Sequence, residues 1–154
     1  MQVIILSGIP GCGKTTYVDK HKASHPTKWV ESVSADHFFE TDSGYKFDPT
    51  KLAQAHTNCL CRYLHYLSMG ANGPDVVFVD NTNIYEWERQ VYLTAMQGAQ
   101  RKTTFQVVSW VARTLDDVRV CMKRNRHSVP KEVIFRMAME HEVVDDVVFS
   151  IGEN

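Results

Sequence analysis

Gly8-Ile9-Pro10-Gly11-Cys12-Gly13-Lys14-Thr15, entered from the apolar run Val3-Ile4-Ile5-Leu6, decides how the rest of this chain reads. A short unbroken aliphatic run before a glycine cluster is the pattern of a parallel strand buried on both faces. The glycines let the backbone bend so that several N–H groups point inward at an anion, where side chains would block its approach. Lys14-Thr15-Thr16-Tyr17-Val18 then opens a helix, whose amino end adds partial positive charge to the same spot.

The eight residues match G-x4-G-K-[ST], the phosphate-binding P-loop pattern. On this reading Gly8, Gly11 and Gly13 shape a cradle for the phosphates of ATP, with Thr16 at its helical rim. Lys14 reaches the β- and γ-phosphates, and the Thr15 hydroxyl ligates Mg²⁺. Cys12 is either filler inside the cradle or a reactive thiol.

Outward from the loop, strands and helices alternate. Lys28–Ser34, Val76–Val79 and Thr104–Trp110 read as further strands, and Val143–Ile151 as a short last one. Asp48-Pro49 is a helix-start signal; Leu52, Leu60, Tyr63, Leu64 and Leu67 then recur at helical spacing up to Gly70. Further helices are expected over 85–97, from a Thr114 cap to about Asn125, and from Pro130 to about His141, while 37–48 reads as loop. This alternation predicts an α/β fold with a parallel sheet covered on both faces. With 154 residues and no linker, repeat or low-complexity tract, residues 1–154 are expected to form one domain.

Two carboxylates fall at strand ends, where open α/β sheets place their ligands. Asp36 follows the second strand, either positioned to orient an acceptor hydroxyl and take its proton or serving as a helix cap or loop turn. Asp80 ends the third, the place of an aspartate in the Mg²⁺ shell. Asn81 and Asn83 either extend polar groups toward substrate or form local turns. Arg113, Arg119, Lys123, Arg124, Arg126 and Lys131 are opposed locally only by Asp116 and Asp117. Arg124 and Arg126 lie at a helix end before Pro130, a hinge for a lid closing over the triphosphate; the alternative is cations complementing a helix carboxyl end.

Four segments resemble the polynucleotide-kinase branch of P-loop kinases: Gly8–Thr15, Ser34-x-Asp36, Asp80-Asn81-Thr82-Asn83, and Lys123-Arg124-Asn125 followed by Val129-Pro130. The resemblance implies a three-layer α/β/α fold with a five-stranded parallel sheet of adenylate-kinase-like topology and a small arginine-bearing lid. It also implies Asp36 as general base, and Arg124 as a phosphate clamp acting with Lys14. In that branch an arginine commonly follows the catalytic aspartate; here His37-Phe38-Phe39 stand there instead. With this difference and its compact length, the chain is similar to phage kinases that phosphorylate the hydroxymethyl group of 5-hydroxymethyluracil in DNA, which would act in the host cytoplasm. It also resembles cellular P-loop kinases that carry the same Asp-x-Phe-Phe pattern.

Phe38, Phe39, Tyr45 and Phe47 after Asp36, and Tyr85 and Trp87 after Asn83, either stack on a nucleobase or pin loops to the core. Phe38 and Trp87 are the first candidates for stacking, and His37 for touching substrate. His21 and His25 read as helix-surface residues, and Glu140, Glu142, Asp145 and Asp146 as a solvated acidic face.

Composition narrows the classes. Lys+Arg 17 against Asp+Glu 18 gives a net charge of -1, which excludes a polycation and leaves nucleic-acid binding to a local basic patch. Cys12, Cys59, Cys61 and Cys121 do not form a disulfide framework, so a reducing, cytoplasmic setting is expected. No apolar stretch approaches the ~18–20 residues of a membrane span. The expected activity is ATP- and Mg²⁺-dependent phosphorylation of a hydroxyl on nucleic acid, which the resemblance makes first the hydroxymethyl group of 5-hydroxymethyluracil in DNA and otherwise a polynucleotide 5′-hydroxyl. Kinases of a small metabolite or nucleoside, and a nucleotide-binding module that transfers phosphate to nothing, are the alternatives.

Overall fold

A computed structural model of the chain describes residues 1–99, 102–144 and 146–151. Strands β1 (Gln2–Ser7), β2 (Val30–Val33), β5 (Val76–Val79), β6 (Thr104–Val111) and β7 (Val147–Ser150) form one sheet, ordered β2-β5-β1-β6-β7. Every pairing in it is parallel, with Ile4 of β1 opposite Phe78 on one side and Gln106 on the other. Strands β3 (Glu40–Thr41) and β4 (Gly44–Tyr45) make a separate small antiparallel hairpin. The helices are α1 (Lys14–Ser24), α2 (Leu52–Ser68), α3 (Glu86–Met96), α4 (Leu115–Arg124) and α5 (Lys131–Glu140).

Alternation along each strand builds two cores. Val3, Ile5, Val77, Val79 and Val107 face Ala55, Cys59, Tyr63 and Leu67 of α2 and Tyr92 of α3. Ile4, Leu6, Val76, Phe78, Val108 and Trp110 face Val18 of α1, Val118 and Cys121 of α4 and Ile134 of α5. A sheet whose central strands bury both faces needs helices on both, which gives the expected α/β/α layering. Burying each large apolar side chain contributes about 1.5–3 kcal/mol.

Several boundaries differ from the sequence reading. Lys28 and Trp29 precede β2 rather than belong to it: the Trp29 carbonyl accepts from Asp75 and Val76, and its side chain is about half covered. Asp48 caps a single 3-10 turn, Pro49–Lys51, that leads into α2. The core stripe of α2 is Ala55, Cys59, Tyr63 and Leu67, whereas Leu52 and Leu64 face solvent. The stretch read as loop holds the β3–β4 hairpin and a 3-10 turn over Asp36–Phe38. Thr114 does cap α4, its hydroxyl accepting from Asp117 N–H at 3.1 Å. The last strand is shorter than Val143–Ile151, and Asp145 lies outside the described residues. No helix among the described residues is long and apolar enough to cross a membrane.

Candidate functional site

The sheet order makes the carboxyl ends of β1 and β5 the place where chain connections diverge to opposite sides, the point at which open α/β sheets bind ligands. The glycine loop leaves β1 there and is tied to the segment after β5 by Gly8 N–H donating to Thr82 O at 2.8 Å. Gly11 has φ +81°, and a Cβ on it would lie 2.1 Å from the Cys121 carbonyl oxygen. Glycine is therefore required on two counts, backbone conformation and the close approach of the last turn of α4. That approach places Arg124, the final residue of α4, at the rim of the loop.

Lys14 is buried, and its ammonium donates to Gly8 O at 2.8 Å and Ile9 O at 3.2 Å. It also lies 3.6 Å from Cys12 Sγ. Burial pushes the Cys12 thiol up despite the neighbouring lysine, and the side chain is enclosed. Cys12 is thus cradle filler, not an exposed thiolate. Thr16 is exposed on the first turn of α1.

Thr15 and Asp80, more than sixty positions apart in sequence, meet directly: Thr15 Oγ1 donates to Asp80 Oδ2 at 3.0 Å. Burial raises the pKa of Asp80, opposed by the Lys14 charge and the Thr15 hydrogen bond. A hydroxyl and a carboxylate beside a phosphate cradle suit a hard, oxygen-seeking cation such as Mg²⁺. No group of three or more His, Cys, Asp or Glu that could hold a metal ion by themselves is found among the described residues. A cation here would complete its shell with water and phosphate oxygens.

Asp36 begins the 3-10 turn after β2, its N–H donating to Ser34 Oγ at 3.2 Å. Two residues from distant segments reach its carboxylate. Tyr45 of β4 donates its hydroxyl to Oδ1 at 2.7 Å, and His127, between α4 and α5, lies 3.8 Å from Oδ2. His37 accepts at Nδ1 from Arg62 of α2, 3.0 Å away. Arg62 has no carboxylate partner among the described residues, so an uncompensated guanidinium stands beside the turn that carries Asp36. Sequence reasoning assigned Arg62 and His127 no role and offered Tyr45 only as a base-stacking or loop-pinning ring, because only the tertiary fold brings the three to the turn that carries Asp36.

Asn81 and Asn83 do not present their amides to a ligand. Asn81 is buried; its Oδ1 accepts from Ala35 N–H at 2.9 Å, and its Nδ2 donates to Tyr92 Oη at 3.1 Å. It ties the end of β2 to the end of β5 and so fixes where Asp36 stands relative to Asp80. Asn83, at φ 42°, donates from Nδ2 to Leu6 O at 2.8 Å. Its carbonyl receives Ser7 Oγ at 2.9 Å and the buried Arg89 at 2.8 Å. The left-handed conformation, which asparagine tolerates better than most residues, turns the side chain back under the sheet edge. Both asparagines are framework.

The aromatic residues after Asp36 pin the hairpin down. Phe39 is buried and meets Phe38, Tyr45 and Phe47 edge-on, with centroids 5.0–6.1 Å apart. Phe38 packs against the core edge. Trp87, 67% exposed, stacks on Tyr85 at the start of α3. It lines a shallow depression with Glu86, Gln90 and Glu142 rather than joining Phe38 near Asp36.

Arg124 and Arg126 are exposed, and neither has an ion-pair partner among the described residues. Arg119, by contrast, pairs with Asp116 at 2.7 Å. The segment between α4 and α5 is braced by Asn125 Nδ2 donating to Val129 O at 2.8 Å, while Asn125 Oδ1 is buried without a hydrogen-bond partner. His21 stacks on His25 at 4.3 Å and packs edge-on to Phe78, a half-buried structural pair.

Residues 3–144 match the AAA domain family (AAA_33), and the chain belongs to it. Its five-stranded sheet and helices are the fold of P-loop kinases. NEDD4-binding protein 2 from Homo sapiens is 28% identical over 141 residues, covering 90% of this chain. The chain spans only 7% of that relative's length. Among solved structures, the fold is similar to a chain of the Pnkp1/Rnl/Hen1 RNA repair complex, with TM-score 0.66 and 18% identity over 90% of this chain and 43% of that one. It is also similar to a gluconokinase from Sinorhizobium meliloti 1021, with TM-score 0.61 and 12% identity over 99% and 84% of the two chains.

Proposed function

We propose that this chain is an ATP-dependent, Mg²⁺-requiring kinase that phosphorylates a hydroxyl of nucleic acid. The observation that carries the reading is convergence. The Thr15–Asp80 pair, the Lys14 cradle and the Asp36 carboxylate arise from three strand ends and open onto one sheet edge. In this reading Gly8, Gly11, Gly13 and Thr16 line the cradle, Lys14 holds the transferring phosphate, and Thr15 and Asp80 hold the cation. When bound, the cation neutralises charge on the β- and γ-phosphates. Arg124, with Arg126 behind it, closes on the same oxygens. Asp36 accepts the acceptor's proton as its oxygen bonds to the γ-phosphorus and ADP departs. Most of the rate enhancement in such transfers comes from positioning and charge stabilisation.

Arg62 and His37 favour an acceptor hydroxyl with a phosphate nearby, as at the 5′-hydroxyl end of a polynucleotide. A base hydroxymethyl group, as in 5-hydroxymethyluracil DNA, would draw on stacking side chains, and Phe38 and Trp87 do not form such a pair here. The RNA repair complex similarity supports a nucleic-acid acceptor, while the gluconokinase similarity keeps a small metabolite as the competing one.

Transfer of labelled γ-phosphate from Mg·ATP separates these readings. The panel contains 5′-hydroxyl DNA and RNA, DNA with 5-hydroxymethyluracil, free nucleosides and sugar acids. Label on polymer 5′ ends is the expected result. Label on the modified base would move the acceptor there, and label only on a free small molecule would overturn the nucleic-acid reading. Release of inorganic phosphate alone would mean a module that transfers to nothing.

A further inference from the structure

We propose that His127 caps the Asp36 carboxylate while no acceptor is bound and so limits wasteful hydrolysis of bound nucleotide; this rests on Asp36 being the base. Three observations place the cap. Tyr45 already engages Oδ1, which leaves Oδ2 as the oxygen free to receive a proton. His127 Nε2 stands 3.8 Å from that Oδ2. The His127 ring rests on the Tyr45 ring, centroids 4.5 Å apart, so the segment between α4 and α5 is seated on the β3–β4 hairpin across Asp36.

The contact has the strength a displaceable cap needs. Both side chains are partly exposed, at 40% and 45%, and exposed pairs of this kind are held weakly. A firmly bound acceptor therefore displaces His127, whereas a single water, bound weakly, competes poorly with it. The reaction suppressed is attack by water oxygen on the γ-phosphorus. In that step the water proton passes to Asp36, the bond from phosphorus to the bridging oxygen breaks, and ADP leaves.

The positive-φ residue Ser128 follows immediately, at φ 55°. It turns the chain just beyond His127.

The test compares the full chain with His127→Ala, His127→Gln and Asp36→Asn. It measures phosphate release from Mg·ATP without acceptor, and kcat and KM for oligonucleotide phosphorylation. His127→Ala is expected to raise acceptor-free hydrolysis about two- to fivefold and to lower acceptor KM by a similar factor, the range that a pair of this strength allows. His127→Gln, which keeps a donor of similar reach, should stay near the parent in both. Unchanged hydrolysis and KM in His127→Ala, with Asp36→Asn inactive, would overturn the cap and leave the kinase reading standing. A fall in transfer kcat without a rise in hydrolysis would overturn it as well, by making His127 part of the transfer machinery. If Asp36→Asn transfers at the parent rate, the base assignment itself fails, and the cap with it.

Discussion

The nucleotide half of the site and the acceptor half are built on opposite plans. Around the glycine loop, polar side chains are already engaged within the fold: buried Lys14 on loop carbonyls, exposed Thr15 on Asp80, and buried Asn83 and Ser7 beneath. Around Asp36, Tyr45 of the hairpin, His37 with Arg62 of α2, and His127 of the α4–α5 segment meet at partial exposure, and Arg62 lacks a carboxylate partner among the described residues. A preorganised half suits a ligand that is always the same, the triphosphate. A loosely held half suits one that must enter, displace contacts and leave.

The largest test of this contrast is Arg124→Ala. It should lower kcat roughly 10³-fold, within the range for arginines that stabilise phosphoryl-transfer charge, and leave thermal stability unchanged because the side chain is exposed. Kinetics beside a melting curve on the same sample checks both parts. Gly11→Ala strikes the same nucleotide half through its backbone. Its new Cβ meets the Cys121 carbonyl at 2.1 Å, so urea unfolding should show a loss of about 2–3 kcal/mol together with weaker ATP binding.

Arg62→Ala should raise KM for phosphate-bearing acceptors about tenfold, the loss expected for a charge-assisted hydrogen bond. KM for ATP should not move, which steady-state kinetics in each substrate will report. Equal effects on both substrates would erase the boundary between the halves.

The smallest effect is pH-dependent and belongs to the framework. His141, at the end of α5, lies 2.8 Å from Ser7 Oγ, and burial beside Arg89 and Lys14 depresses its pKa from 6.5 to about 4. Because the unfolded chain takes up this proton and the folded chain does not, the His141 contribution is full above pH 6.5. It declines as pH falls toward 4. His141→Gln should flatten the melting temperature over that window, measured against the parent chain.

The same division decided what could be read from the residues alone. Gly8–Thr15 is contiguous, and the apolar runs of β1 and β5 specify buried parallel strands, so the cradle, Asp36 and Asp80 were legible as strand-end groups. Arg62, Tyr45 and His127 were not, because nothing in their local sequence says which turn they will face once α2, the hairpin and the α4–α5 segment pack. Asn81 and Asn83 misled for another reason. Position at the sheet edge does not determine direction, and the left-handed turn at Asn83 sends its amide inward. On α2 the spacing picked out Tyr63 and Leu67, which are buried, and Leu60, which packs against the core, but it also took in Leu52 and Leu64, which face solvent, and passed over the small buried Ala55 and Cys59.

A crystal structure of the chain with Mg²⁺ and a non-hydrolysable ATP analogue would show whether the cradle and Asp36 face one γ-phosphate. The account predicts the γ-phosphate within hydrogen-bond reach of Lys14, the cation between Thr15 and Asp80, and the Asp36 carboxylate facing the γ-phosphorus. Phosphates bound away from the Gly8–Thr15 loop, or an Asp36 side chain turned out of the cleft, would contradict it.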